Sequence, residues 1–193
     1  MKLQDLLGRP IHSPEIKEFF AQYHLPQNPL PNHDAYGNLF WVHVNNKEKT
    51  IYTVFTGYVR YAPIYGEPIG SYNKAKDQLI LHEITIESEN APDGKISDIS
   101  LPFGLNIGDD KTTIVQKIGK KLTGKTVTDY GSAYHVLFEE FRLLVALNPK
   151  EQLSCLRLFK LELYEKKNYN YGPHGCDDGS FFLCFWAAAL SAD

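Results

Sequence analysis

The sequence predicts an α+β protein built from two pseudo-repeated halves, each a helix followed by antiparallel strands. Three observations lead there. An N-capped amphipathic helix precedes short strand-like runs over residues 13–55, and the same order returns after residue 100. The runs are rich in β-branched and aromatic residues and separated by short polar turns, the pattern of hairpins rather than of parallel strands. Finally, SENAPDGKIS (88–97) is polar and holds Pro92, Asp93 and Gly94, which marks a boundary between halves. The halves are taken as 1–95 and 96–193, within one compact domain.

The first helix lies in SPEIKEFFAQY (13–23). Ser13 is a good N-cap, Pro14 suits the first helical position, and Glu15 suits the positive end of the dipole. Ile16, Phe19, Phe20 and Tyr23 fall at i, i+3, i+4 and i+7, one apolar stripe. PQNPLPNHDAYGN (26–38) reads as an irregular loop. LFWVHV (39–44) and TIYTVF (50–55), joined by NNKEK, predict a hairpin. GYVRYAPIYGEPIG (57–70) predicts an edge strand plus loop, because Pro and Gly interrupt it. LILHEITIE (79–87) predicts a longer strand, in which His82 and Glu83 would face opposite sides.

In the second half, Asp109 or Asp110 can cap a helix over 111–122 whose apolar side is Ile114, Val115, Ile118 and Leu122. YHVLF (134–138), FRLLVAL (141–147) and LSCLRLFKLEL (153–163) predict strands. In the last, Leu156 and Leu158 alternate with Arg157, a half-buried pattern. FFLCFWAAAL (181–190) is apolar on every side and follows Asp177, Asp178 and Ser180. It predicts a C-terminal helix buried in the core or, less favoured, against a partner.

Bulk properties narrow the function. The 193 residues carry 20 basic and 23 acidic side chains, a net charge of −3. Lys and Glu are interspersed, which speaks against nucleic-acid binding. No run reaches the ~20 apolar residues that span a bilayer, and the N-terminus lacks a signal-peptide core, so neither membrane nor export is expected. Cys155, Cys176 and Cys184 are odd in number without Cys-x-x-Cys spacing, which argues against a disulfide framework or a zinc site.

GKKLTGKT (119–126) fits the phosphate-loop pattern G-x-x-x-x-G-K-[ST]. A working loop follows a buried strand and opens a helix. Here a helix precedes it and β-rich sequence follows, so the string reads as a helix end with Gly119 or Gly124 in a left-handed cap. His174 and Cys176 in YNYGPHGCDDGS (169–180) lie two residues apart on a Gly-rich loop. That spacing does not fix a nucleophile against its base. Neither catalysis, a cofactor nor a metal is expected. A nucleotide-binding or Cys/His enzyme remains the alternative, and a structural adaptor is a third reading. The tyrosines are the better functional signal, since they bring contact area at little rotamer cost. Tyr61 and Tyr65, with Tyr169, Tyr171, His174, Asp177 and Asp178, are the expected partner-binding residues.

ISLPFGLNIGDDKTTIVQKIGKKL resembles a segment of small bacterial proteins in which an LPFGL-like turn leads to an acidic cap and a helix ending in LG-[KR]-P. Lys121 stands where proline is usual, and LLGRP (6–10) is closer to that ending. With LSCLRLFKLEL as closing strand, the module looks like the β-lactamase-inhibitor-protein and outer-membrane-lipoprotein-small-protein fold. It also occurs among immunity proteins of polymorphic and type VI secreted toxins. The resemblance covers much of residues 96–163. It implies tandem modules and a cytoplasmic, non-enzymatic immunity protein that binds a cognate toxin. It supplies no catalytic residues.

Overall fold

The computed structural model describes residues 2–26, 41–48, 50–71, 78–88, 99–128 and 131–164. Helix α1 (Pro14–Gln22) starts where the sequence places it, with the Ser13 hydroxyl accepting from the Ile16 N–H at 3.4 Å. Strands β1 (Val42–Asn45) and β2 (Ile51–Gly57) form the expected hairpin. Helix α2 (Tyr58–Tyr65) follows, then β3 (Leu79–Glu87). In the second half α3 (Lys111–Ile118) leads to β4 (Thr123–Thr128), β5 (Gly131–Leu137), β6 (Phe141–Leu147) and β7 (Leu153–Lys160).

Among the described residues, the seven strands join one antiparallel sheet in the order β1-β2-β3-β7-β6-β5-β4. The α+β class is therefore correct, and a single core runs under both halves. Its inner face carries Val42, Val44, Ile51, Phe55, Ile84 and Ile86 from one half and Leu143, Val145, Leu156 and Leu158 from the other. Against it pack Leu3, Leu6 and Leu7, then Ile16, Phe19 and Phe20 of α1, and Ile114 and Ile118 of α3. Burial of so many branched side chains, each contributing about 1.5–3 kcal/mol, is the main driving force for this layer.

The same local device precedes α1 and α3. A 3-10 turn, Leu3–Leu6 or Pro102–Gly104, leads to a glycine with φ near +90°. Gly8 donates to the Leu81 carbonyl at 2.7 Å, and the Arg9 carbonyl accepts from Leu81 at 3.0 Å. Gly108 donates to the Leu153 carbonyl at 2.9 Å, and the Asp109 carbonyl accepts from Leu153 at 2.8 Å. Pro10 then bridges Ile80, as Asp110 bridges Gln152. Each segment thus lies along the start of the closing strand of its own half before a capped helix begins. An L-residue is strained at such a φ, which explains both glycines.

Three expectations need correction. Residues 58–65 are helical rather than an edge strand: Tyr58, Tyr61 and Tyr65 recur at helical spacing and Gly66, φ +87°, ends the helix even though Pro63 lies inside it. The Asp110-capped helix stops at Ile118, because Gly119 adopts a left-handed C-cap with φ +69°. The last strand ends at Lys160 instead of Leu163. The loop 26–38 and boundary 88–97 fall almost wholly outside the described residues, and the apolar segment 181–190 entirely so.

Candidate functional site

Register and pleat assign the side chains of the sheet to two faces. Opposite the helical layer, the outer face carries His43, Tyr52 and Val54 from β1 and β2, then Glu83 and Thr85 from β3. It continues with Cys155, Arg157 and Phe159 from β7, Arg142, Leu144 and Ala146 from β6, and Ala133 and His135 from β5. Among the described elements, α2 is the helix packed on this side, where Tyr61 and Tyr65 cover Ile80 at one end.

A β-bulge shapes that end. Val54 pairs with Glu83 but Phe55 pairs with Leu81, so β3 contains one extra residue, His82. The bulge turns both His82 and Glu83 outward and breaks the alternation that the sequence predicts for them. The His82 ring lies 4.6 Å from Trp41 edge-on and stacks at 5.4 Å on Tyr65, which in turn lies 5.0 Å from Tyr61. Burial pushes the His82 imidazole down to about 3, and His43 reinforces the shift. It is therefore neutral at pH 7. Among the described residues His82 Nε2, Tyr61 Oη and Thr56 Oγ1 have no hydrogen-bond partner.

Glu83 meets Arg157 across β3 and β7. Arg157 Nη2 lies 2.5 Å from Glu83 Oε1, its Nε donates to the same oxygen at 3.1 Å, and Thr85 Oγ1 donates to it at 2.9 Å. Arg157 and Arg142 also flank Phe159, their guanidinium carbons 5.2 and 5.0 Å from its ring centroid. Glu83 thus anchors Arg157, and both guanidiniums lie near the Phe159 ring. An arginine so stacked and fixed loses little freedom on meeting a planar polar or anionic group. His135, on the same face, has its imidazole pushed down to about 4 by burial and by Arg142.

The expected site residues separate. Tyr61 and Tyr65 are buried in α2, with burial raising the Tyr61 phenol well above its ordinary range. They cover one end of the outer face around Ile80 instead of offering loop contacts. Tyr169, Tyr171, His174, Asp177 and Asp178 lie outside the described residues. The phosphate-loop string spans the end of α3 and the start of β4. Gly119 is the C-cap, Lys120 Nζ donates to the Leu137 carbonyl at 2.8 Å, and Lys125 sits on a strand. Its order is helix then strand, which leaves no helix N-terminus facing a phosphate. Among the described residues, no three His, Cys, Asp or Glu side chains gather as a metal site. None of their helices is long and apolar enough to cross a membrane.

Sequence reasoning missed Trp41, His82 and the paired arginines. Arg142 and Arg157 could have been found, since both alternate with inward leucines. The bulge left no local signal.

Fold and face together define a class: an α+β protein in which α1 and α3 cover one side of a single antiparallel sheet, while the other side carries α2 at one end and presents arginine and aromatic side chains. No family model matches the sequence, and no curated protein does. Among solved structures, the chain is similar to a DUF4309 family protein (YjgB) from Bacillus subtilis. The identity is 12% and the TM-score 0.34, over 74% of this chain and 76% of that one. So remote a superposition adds nothing to the fold described above.

Proposed function

We propose that this is a non-enzymatic binding protein of the immunity type, which neutralises a bacterial toxin in the cytoplasm by engaging it directly through the outer face of the sheet. One observation carries the proposal. Arg142, Arg157, Phe159, Tyr52 and Trp41 share that face, Arg157 is already fixed by Glu83, and both arginines lie against the Phe159 ring. Arginine and large aromatics supply most hot spots in protein interfaces, and a pre-ordered surface has less entropy to lose on association. Resemblance of the LPFGL segment to immunity proteins gives the partner its class. The paired glycine devices before α1 and α3 support the tandem-module part of that resemblance. Acidic residues in 169–178 would complement a basic toxin site and speed encounter.

The test is co-expression with the product of the adjacent reading frame. A 1:1 complex and rescued growth are expected. Trp41→Ala and Tyr52→Ala should each weaken the complex at least tenfold, while Val127→Thr, at an exposed edge position, should leave it unchanged. A complex insensitive to both outer-face changes removes the face from the proposal. Failure to form a complex with the product of any adjacent reading frame removes the immunity reading.

A further inference from the structure

Lys125 of GKKLTGKT has a use that needs no phosphate loop. Across β4 and β5, Thr123 pairs with His135 and Thr126 with Ala133, so Gly124 and Lys125 together oppose Tyr134. Gly124 takes φ +61°, as the left-handed first residue of a bulge does, and a Cβ there would meet the His135 ring at 3.2 Å. Bulges at a sheet edge re-aim a side chain. Here that side chain is Lys125, and its charge reaches the Tyr134 phenol.

The Tyr134 ring is buried in the core with Ile114 and Ile118 of α3, which holds its oxygen in place. Lys111, the first residue of α3, puts its Nζ 3.1 Å from that oxygen and 4.5 Å from the ring centroid. The hydrogen bond from Lys111 pulls the phenol below its ordinary range; burial opposes the shift, and the Ser132 hydroxyl and the charge of Lys125 add to it. Among the described residues no carboxylate pairs with Lys111 or Lys125. Asp110, next to Lys111, is instead turned to the Thr113 N–H at 2.7 Å. Two like charges around one oxygen repel each other, and an anion between them turns repulsion into attraction.

We infer that Lys111, Lys125, Ser132 and Tyr134 form a binding site for a small phosphate dianion, free or as a monoester. Two ammonium groups match its two charges, and the two hydroxyls can donate to its further oxygens. A carboxylate, with one charge and two oxygens, would leave donors unused. The site lies at the β4 edge on the helical side of the sheet, away from the arginine face. It goes beyond the partner reading and does not depend on it.

The test is titration of the full chain with inorganic phosphate at constant ionic strength and about pH 8, where phosphate and its monoesters are dianions. The amide resonances of Lys125 and Ser132 report binding, and saturable shifts are expected. Lys111→Met and Lys125→Met should each weaken binding about tenfold or more, the loss of one charge-assisted hydrogen bond. Lys125→Arg should retain most of the affinity, and Lys17→Met, an exposed lysine of α1, all of it. Glycerol phosphate separates the two sources: tighter binding than inorganic phosphate assigns the site to an esterified ligand, and equal or weaker binding to the free ion. A second readout is the titration of Tyr134, followed at its Cζ resonance. An anion between the lysines offsets their pull on the phenol, so saturating phosphate should move that titration to higher pH. Shifts that never saturate, that acetate reproduces, or that survive both lysine-to-methionine changes mean screening of an exposed edge and overturn the inference. A Tyr134 titration indifferent to phosphate overturns it as well.

Discussion

His82→Phe should flatten the loss of stability between pH 7 and pH 5. In the folded protein the imidazole is pushed down to about 3 by burial, with His43 as the lesser cause. In the unfolded chain it titrates near its ordinary value of about 6.5. The unfolded state therefore binds the proton first, and stability present above pH 6.5 is lost as pH falls toward 3. At pH 5 the unfolded histidine is about 1.5 units below its midpoint, which corresponds to about 2 kcal/mol; at pH 7 the same term is about 0.2 kcal/mol. Phenylalanine keeps the ring between Trp41 and Tyr65, leaves no unpartnered nitrogen, and does not titrate. Urea unfolding of both proteins at the two pH values gives the comparison. The parent should lose about 2 kcal/mol more than the variant over that interval. Equal losses, within about 0.5 kcal/mol, would refute the claim that His82 is buried and neutral. Other titrating groups cancel in the difference, His135 included.

Arg157→Met should cost about 2–4 kcal/mol, because it leaves the Glu83 carboxylate largely buried with Thr85 as its remaining named donor. The double variant Arg157→Met, Glu83→Leu should recover at least 1 kcal/mol of that in chemical denaturation, and strict additivity would show that the pair is uncoupled. Gly131→Ala should destabilise by roughly 3 kcal/mol or more, since its Cβ would lie 1.9 Å from the Leu147 carbonyl oxygen; a thermal midpoint within 2 °C of the parent, the small shift of a near-neutral change, would contradict this packing. Ser13→Ala should remove about 1 kcal/mol through the α1 cap, while Ser13→Asp should restore it.

Legibility of the fold followed the locality of its causes. Ser13 and Asp110 set helix starts through contacts within four residues, so the starts of α1 and α3 could be placed from the sequence, whereas the end of α3 at Gly119 was expected four residues later. FRLLVAL and LILHEITIE were recognisable because strands flanked on both sides read as apolar runs. Helix α2 was misread because Pro63 and Gly66 look like strand punctuation, and its real signal, tyrosines at i, i+3 and i+7, is shared with half-buried strands. The Trp41, His82 and Tyr65 stack was beyond sequence reasoning altogether. It depends on one extra residue in β3, on the register that this sets against β2, and on a helix that folds back over the same strand. Of the tyrosines singled out as loop contact residues, Tyr61 and Tyr65 are buried in α2, and Tyr169 and Tyr171 lie outside the described residues.

The pairing of β3 with β7 has a consequence for biosynthesis. Glu83 and Arg157 meet at a sequence separation of 74 residues. When the first half leaves the ribosome, Gly8–Ile11 can line β3 only at its start, and residues 83–87 keep an unsatisfied row of amides and carbonyls until β7 emerges. A long-lived bare strand of this kind invites pairing with a neighbouring nascent chain. Non-local closure is also slow. Glu83 and Glu87, with Thr85 between them, put two like charges along that strand, so two nascent copies brought together there would repel. The carboxylate that later fixes Arg157 would in the meantime act as a gatekeeper during translation.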